Sequence, residues 1–103
     1  MTSKQRAYLK SLAMNIDPVV HVGKGSLTPE IIQAADEALA ARELIKVGLL
    51  QNCLDDIREI ANALGERTRS EVVQVIGRKI VLYREGKDDK KKIELPRAAK
   101  GRK

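Results

Sequence analysis

The chain has 103 residues and a formal net charge of +6, with one cysteine, two tyrosines and neither phenylalanine nor tryptophan. This length predicts one domain with an aliphatic core, and the single cysteine excludes an internal disulfide framework or a multi-cysteine zinc site and favours a reducing cytoplasm. No apolar stretch in the sequence reaches the length of about 20 residues that a membrane-spanning helix needs.

The charge is unevenly distributed along the chain. Residues 1–14 carry +3, residues 15–83 carry −2 and residues 84–103 carry +5. A slightly acidic body with two basic ends indicates a polyanionic partner, either a nucleic acid or an anionic membrane surface. The alternative interpretation is a solubilising tail without a binding role.

Hydrophobic periodicity and capping residues divide the chain into seven elements. Ser3 and Thr28 are suited to begin helices as N-caps, as is either Asp55 or Asp56. Gly65 is placed to end the third helix. The predicted elements are a helix over 3–14, a strand over 19–22, a helix over 29–42, a strand over 44–50, a helix from about 57 to 65, and strands over 72–76 and 79–84.

The order α-β-α-β-α-β-β predicts an α/β fold with one mixed four-stranded sheet packed by helices. Strands joined through a helix are expected to be parallel, and the last two strands to form an antiparallel hairpin around Gly77 and Arg78. In the second strand, Ile45 and Val47 share one face and Lys46 lies on the other. We expect residues 1–96 to form the domain and the basic residues 97–103 to be a flexible tail.

The first candidate site is the loop Gly23-Lys24-Gly25-Ser26, which lies between a predicted strand and a predicted helix. Glycines let backbone N–H groups approach an anion, and a helix N-terminus points its positive dipole end the same way. The order of residues fits neither a Walker A loop nor a dinucleotide fingerprint. An ordinary tight turn between strand and helix explains the glycines equally well.

Basic side chains outside this loop form the second candidate site. Such residues neutralise phosphates and give affinity that does not depend on sequence, although a solvated surface explains each of them singly. With so few aromatic residues, recognition by base stacking on a platform of aromatic rings is not expected. The candidates are Lys4, Arg6, Lys10, Lys46, Arg78, Lys79 and Arg84.

Nothing in the sequence argues for catalysis. His21 stands beside an apolar run and is expected to be structural, and Cys53 has no evident base partner. Asp55 and Asp56 are explained by helix capping. No spacing typical of metal ligands occurs, so we expect no metal, no cofactor and no small-molecule substrate.

Three segments of the chain together resemble a known family. The segments are 19–28, 37–47 and 73–84, and the ending Lys-Ile-Glu-Leu-Pro over 92–96 fits its bacterial form. Their order and spacing are similar to those of the CRM domain (chloroplast RNA splicing and ribosome maturation), and more narrowly to the free-standing bacterial YhbY-type protein.

The resemblance implies a fold like the C-terminal domain of translation initiation factor 3. Apart from the resemblance, we expect a monomeric, non-enzymatic, cytoplasmic protein. Its expected partner is ribosomal RNA in precursors of the large ribosomal subunit, with no role for a membrane. The family's GxxG loop falls on Gly23 to Ser26, with serine at the fourth position and Gly25 as the residue that could compensate. Two other functions stay open: a protein–protein adaptor that docks on a ribosomal protein, and a small nucleotide-binding enzyme.

Overall fold

Seven elements follow one another in the predicted order. They belong to a computed structural model that describes residues 1–86 and 93–96. The predicted tail over 97–103 and the charged stretch 87–92 lie outside the described residues. The elements are α1 (Ser3–Ala13), β1 (Val20–Val22), α2 (Pro29–Arg42), β2 (Leu44–Leu49), α3 (Ile57–Thr68), β3 (Glu71–Ile76) and β4 (Lys79–Tyr83).

The helices begin at capping residues, two of which were predicted. Thr28 caps α2 and Asp56 caps α3, as expected. The prediction for α1 was wrong by one residue, because Thr2 and not Ser3 is its N-cap. The Thr2 hydroxyl accepts a hydrogen bond from the Gln5 N–H (3.1 Å), and the Gln5 side chain accepts one from the Thr2 N–H (3.0 Å). This reciprocal pair satisfies two backbone donors at the helix start.

The third helix continues past Gly65, contrary to prediction, and ends at Thr68. Arg69 takes the left-handed conformation that stops it, with φ of 55°. Gly65 lies where the helix packs against the following strand: a Cβ there would lie 3.0 Å from Val72 Cγ2 and 3.2 Å from the Ser70 carbonyl oxygen. The glycine therefore serves close packing and does not end the helix.

The four strands form one mixed sheet in the order β1-β2-β4-β3, as the predicted fold class requires. β1 is parallel to β2, and β4 is antiparallel to both β2 and β3. β2 and β3 therefore run in the same direction, with β4 inserted between them. A bulge interrupts the pairing of β3 with β4 between Val72 and Gln74.

Helices cover the sheet on both faces, which gives the molecule two apolar clusters. Ile45 and Val47 share one face of the sheet, as predicted, and α2 and α3 pack on that face. Leu44 and Val81 point to the opposite face, where Leu9 of α1 packs on them. Within the described part of the chain, this second face stays partly uncovered at the end away from α1. There Gly48 lies in a cross-strand row with three exposed residues, His21, Lys79 and Ile76.

A buried glutamate ties the C-terminal segment to the body. Glu43 joins α2 to β2 with φ of 67°, and its side chain has no exposed surface. Its carboxylate accepts hydrogen bonds from the Gly86 N–H and from the Ile93 N–H, the latter at 2.6 Å. Its carbonyl oxygen accepts a hydrogen bond from the Arg84 N–H at 2.9 Å. Glu43 thus binds the backbone on both sides of residues 87–92 and holds it against the body of the domain.

Candidate nucleic-acid interface

Three connections meet at one edge of the sheet. The parallel strands β1 and β2 both end there, and the turn from β3 to β4 lies beside them. The Leu50 N–H donates to the Val22 carbonyl (2.8 Å), and the Leu49 N–H donates to the Arg78 carbonyl (2.8 Å). We call this the loop edge; it consists of residues 23–28, 50–56 and 77–78.

The segment Gly23–Ser26, called here the glycine loop, leads directly into α2. The Ser26 N–H donates to the Gly23 carbonyl at 2.9 Å and closes a tight turn. Thr28 then caps the helix by accepting from the Ile31 N–H at 3.2 Å. Lys24 and Gly25 are exposed at the tip. The arrangement places an exposed cation and exposed backbone beside a helix N-terminus, which suits an anion.

The glycines of this loop are not required by backbone conformation. The residue with positive φ is Ser26 (58°), whereas neither Gly23 nor Gly25 has one. Gly25 thus does not take over the left-handed position from the serine. A Cβ at Gly25 would meet only Thr28 Cγ2, at an ordinary 3.7 Å. The fold would accept alanine at this position, so Gly25→Ala can test ligand binding without disturbing the backbone.

Arg78, predicted to bind RNA, holds the loop edge together. Its guanidinium donates to the carbonyl oxygens of Leu49 (3.2 Å), Leu50 (2.6 Å) and Cys53 (2.9 Å). These bonds fix the segment after β2 against the start of β4. Arg78 therefore contributes to the candidate interface by holding the backbone of the loop edge in position.

Arg6 and Arg84 also use their guanidinium groups inside the protein. Arg6 donates to the carbonyl oxygens of Val72 (2.7 Å) and Val73 (3.0 Å) at the bulge, and it pairs with Glu71 at 3.3 Å. Arg84 contacts the Asp36 carboxylate at 2.6 Å and donates to the Thr68 carbonyl at 2.8 Å. Both serve the fold, a role that their positions in the sequence did not indicate.

The predicted lysines divide into two groups. Lys24 and Lys79 are exposed at or beside the loop edge, and the half-buried Lys46 lies on the same sheet face as Lys79, one position diagonal to it. Lys4 and Lys10 lie on α1, which covers the other half of that face. Lys24 and Lys79 thus lie at or beside the loop edge, Lys46 lies further along the sheet face beside the start of β1, and Lys4 and Lys10 belong to α1.

Four residues at or beside the loop edge were not predicted as site residues. The exposed His21 ring lies across Gly48, where a Cβ would be 3.4 Å from His21 Cδ2. Leu50 and Asn52 flank Gly23, whose Cβ would lie 3.4 Å from Leu50 Cδ1 and Asn52 Oδ1. Leu54 is 92% exposed. The one sequence signal for Leu54 was an apolar residue directly before two acidic residues.

The described residues form no metal-binding cluster, and the cysteine among them is buried. Within residues 1–86 and 93–96, no three His, Cys, Asp or Glu side chains come together as a metal site. Cys53 is buried, with 2% of its surface exposed. None of the described helices has the length and apolar character needed to cross a membrane.

Comparison with known proteins places this architecture in a family. The family model for the CRS1/YhbY (CRM) domain matches residues 1–84. The chain is 49% identical to "Probable RNA-binding protein YqeI" of Bacillus subtilis, over 93% of this chain and 99% of that protein. It is 37% identical to a protein of Haemophilus influenzae named "RNA-binding protein", over 94% and 96% of the two chains.

A solved structure agrees with the sequence comparisons. The solution structure of hypothetical protein SAV1595 from Staphylococcus aureus is similar with a TM-score of 0.78 and 55% sequence identity. The match covers 93% of this chain and 99% of the other. On the family match and these relatives, the chain belongs to the CRS1/YhbY (CRM) domain family.

Proposed function

We propose that this protein is a non-catalytic RNA-binding module that acts in the cytoplasm as a monomer and assists assembly of the large ribosomal subunit. Its partner in this proposal is ribosomal RNA in precursor particles. The relatives named as RNA-binding proteins support the RNA part. The resemblance to the bacterial YhbY-type protein motivates the ribosomal part.

One observation carries the proposal: the glycine loop exposes Lys24 and a side-chain-free Gly25 at the start of α2. A phosphate at this position would meet backbone N–H groups, the positive end of the helix dipole and an ammonium group. Lys79 and Lys46 extend the positive charge onto the neighbouring sheet face. Such contacts recognise the RNA backbone and give affinity with little sequence preference.

The loop is tested by two substitutions that leave the fold intact. Gly25→Ala adds one methyl group at ordinary contact distance, and Lys24→Glu reverses an exposed charge. The control is Arg67→Glu, an equal charge reversal in the last turn of α3, roughly 15 Å along that helix from the loop edge. Circular dichroism should show native melting for both loop variants and a small fall for Arg67→Glu, because a carboxylate at a helix C-terminus is opposed by the helix dipole.

RNA binding is measured by fluorescence anisotropy with a ribosomal RNA fragment at several salt concentrations. We expect both loop variants to bind RNA about tenfold or more weakly than Arg67→Glu does. In Gly25→Ala the added methyl group keeps a phosphate away from the backbone N–H groups, and in Lys24→Glu the phosphate meets a carboxylate. We also expect affinity of the native protein to fall steeply with salt. Equal affinities of Lys24→Glu and Arg67→Glu would show that the loop is an ordinary turn.

The ribosomal part is tested separately in cell lysates. The tagged protein should sediment in sucrose gradients with precursors of the large subunit, and nuclease treatment should release it. Association that survives nuclease would instead indicate docking on a ribosomal protein. An even distribution over particles and free fractions would contradict the assembly role.

A further inference from the structure

Two exposed leucines lie on the segment between β2 and α3, and Leu50 is next to the glycine loop. Leu54 has 92% of its surface exposed and Leu50 has 46%. They flank a turn in which the Cys53 N–H donates to the Leu50 carbonyl at 3.0 Å, and Leu50 Cδ1 lies next to Gly23. We call this pair the apolar rim. The two leucines expose aliphatic surface at the same edge of the sheet as the exposed charge of Lys24.

The apolar rim is held firmly in place. The Arg78 guanidinium binds the carbonyl oxygens of Leu50 and Cys53, and the Cys53 side chain is buried in the core. Leu50 is also fixed to β1 by its N–H bond to Val22. The rim is therefore a preformed surface, and its leucines are exposed although the backbone around them is anchored.

The chemistry of the rim suits nucleobases better than phosphates. Asp55 and Asp56 follow Leu54 directly and repel a phosphate there, while Lys24 attracts one on the other side of Gly23. An RNA duplex presents mainly phosphates and 2′-hydroxyls to a protein, and its bases are stacked inside. Aliphatic side chains gain nothing from such a surface, but they gain from the apolar face of an unpaired base.

We propose that Leu50 and Leu54 receive unpaired bases of a single-stranded RNA whose backbone lies on the glycine loop. Asn52, which is exposed between the leucines, offers both hydrogen-bond donors and an acceptor to a base edge. The inference rests on the proposed function and narrows it: the preferred RNA is a single-stranded loop or end, and a continuous helix binds less well.

The experiment compares two probes and two matched variants. The probes are a 12-nucleotide labelled single strand of mixed sequence and the same strand in a blunt duplex. Leu54→Ala removes the rim's most exposed side chain, and Met14→Ala, at the end of α1, removes another large apolar side chain that is 80% exposed. Both substitutions act on exposed atoms, so melting temperatures should stay native.

We expect native protein to bind the single strand more tightly than the duplex. Leu54→Ala should weaken binding of the single strand by roughly three- to tenfold through lost apolar burial, while its affinity for the duplex stays within twofold of native. The salt slope should not change, because no ionic contact is lost. Met14→Ala should bind both probes as the native protein does.

Each other result has a definite meaning. If Leu54→Ala and Met14→Ala bind the single strand equally well, or if the duplex is the tighter probe, the inference is overturned. The proposed function then still stands, provided that Lys24→Glu weakens binding. If the native protein binds neither probe nor ribosomal RNA, both fall. If Leu54→Ala binds RNA normally but leaves the precursor particles, the rim contacts a protein and the inference is again wrong.

Discussion

Glu43 offers a prediction whose size can be worked out from its contacts. Its carboxylate is fully buried and accepts hydrogen bonds from two backbone N–H groups, those of Gly86 and Ile93. Glu43→Gln keeps the shape but turns one accepting oxygen into an NH₂ donor that faces an N–H donor. A hydrogen bond to a charged group contributes about 1.5–3 kcal/mol, and the donor left behind adds a desolvation cost. We therefore expect a loss of about 2–3 kcal/mol in the free energy of unfolding.

The loss is measured by urea unfolding followed by circular dichroism, with Glu66→Gln on the exposed face of α3 as the control. For a chain of this size, it corresponds to a fall in melting temperature of about 8 °C or more. Hydrogen exchange tests the location: the Gly86 and Ile93 amides should lose more protection than the Ile80 amide in the central strand. A variant within about 0.5 kcal/mol of native, with unchanged exchange at these amides, would refute the reasoning.

Two further substitutions test backbone features. Ser26→Gly should raise the free energy of unfolding by about 0.5–1 kcal/mol, because positive φ costs a residue with a side chain about 1 kcal/mol or more. Gly77→Ala, at φ of 57°, should lower the free energy of unfolding for the same reason. Equal melting temperatures for both variants would contradict this. Arg6→Lys should lose about 1–2 kcal/mol, since an ammonium group cannot reproduce the fork that binds two carbonyls and Glu71. An unchanged urea midpoint would show that the bulge does not depend on this contact.

Local signals in the sequence were sufficient for the order of elements and for most of their ends. Thr28 and Asp56 act through bonds to residues two or three positions away, so their roles are visible without the fold. Gly65 was misread because its function depends on Val72, a contact made by tertiary packing. A glycine that allows a close approach and a glycine that ends a helix look the same in sequence.

The candidate site shows the same division between local and distant information. The glycine loop could be located from the sequence because strand, loop and helix are consecutive. The internal bonds of Arg6, Arg78 and Arg84 could not, since each spans 16 or more residues. A count of charges in the sequence cannot distinguish an arginine that binds backbone carbonyls from an arginine that faces solvent. Exposed Leu54 was missed because exposure is a property of the folded surface.

The position of β4 has a consequence for the timing of folding. It is the last strand of the described chain, yet it lies between β2 and β3, and β3 pairs with no other strand. A growing chain that lacks residues 79–83 leaves β2 with one open edge and β3 without a partner. The sheet is therefore completed only after residues 79–83 have been synthesised. Until then, the nascent chain exposes strand edges that can pair with other molecules.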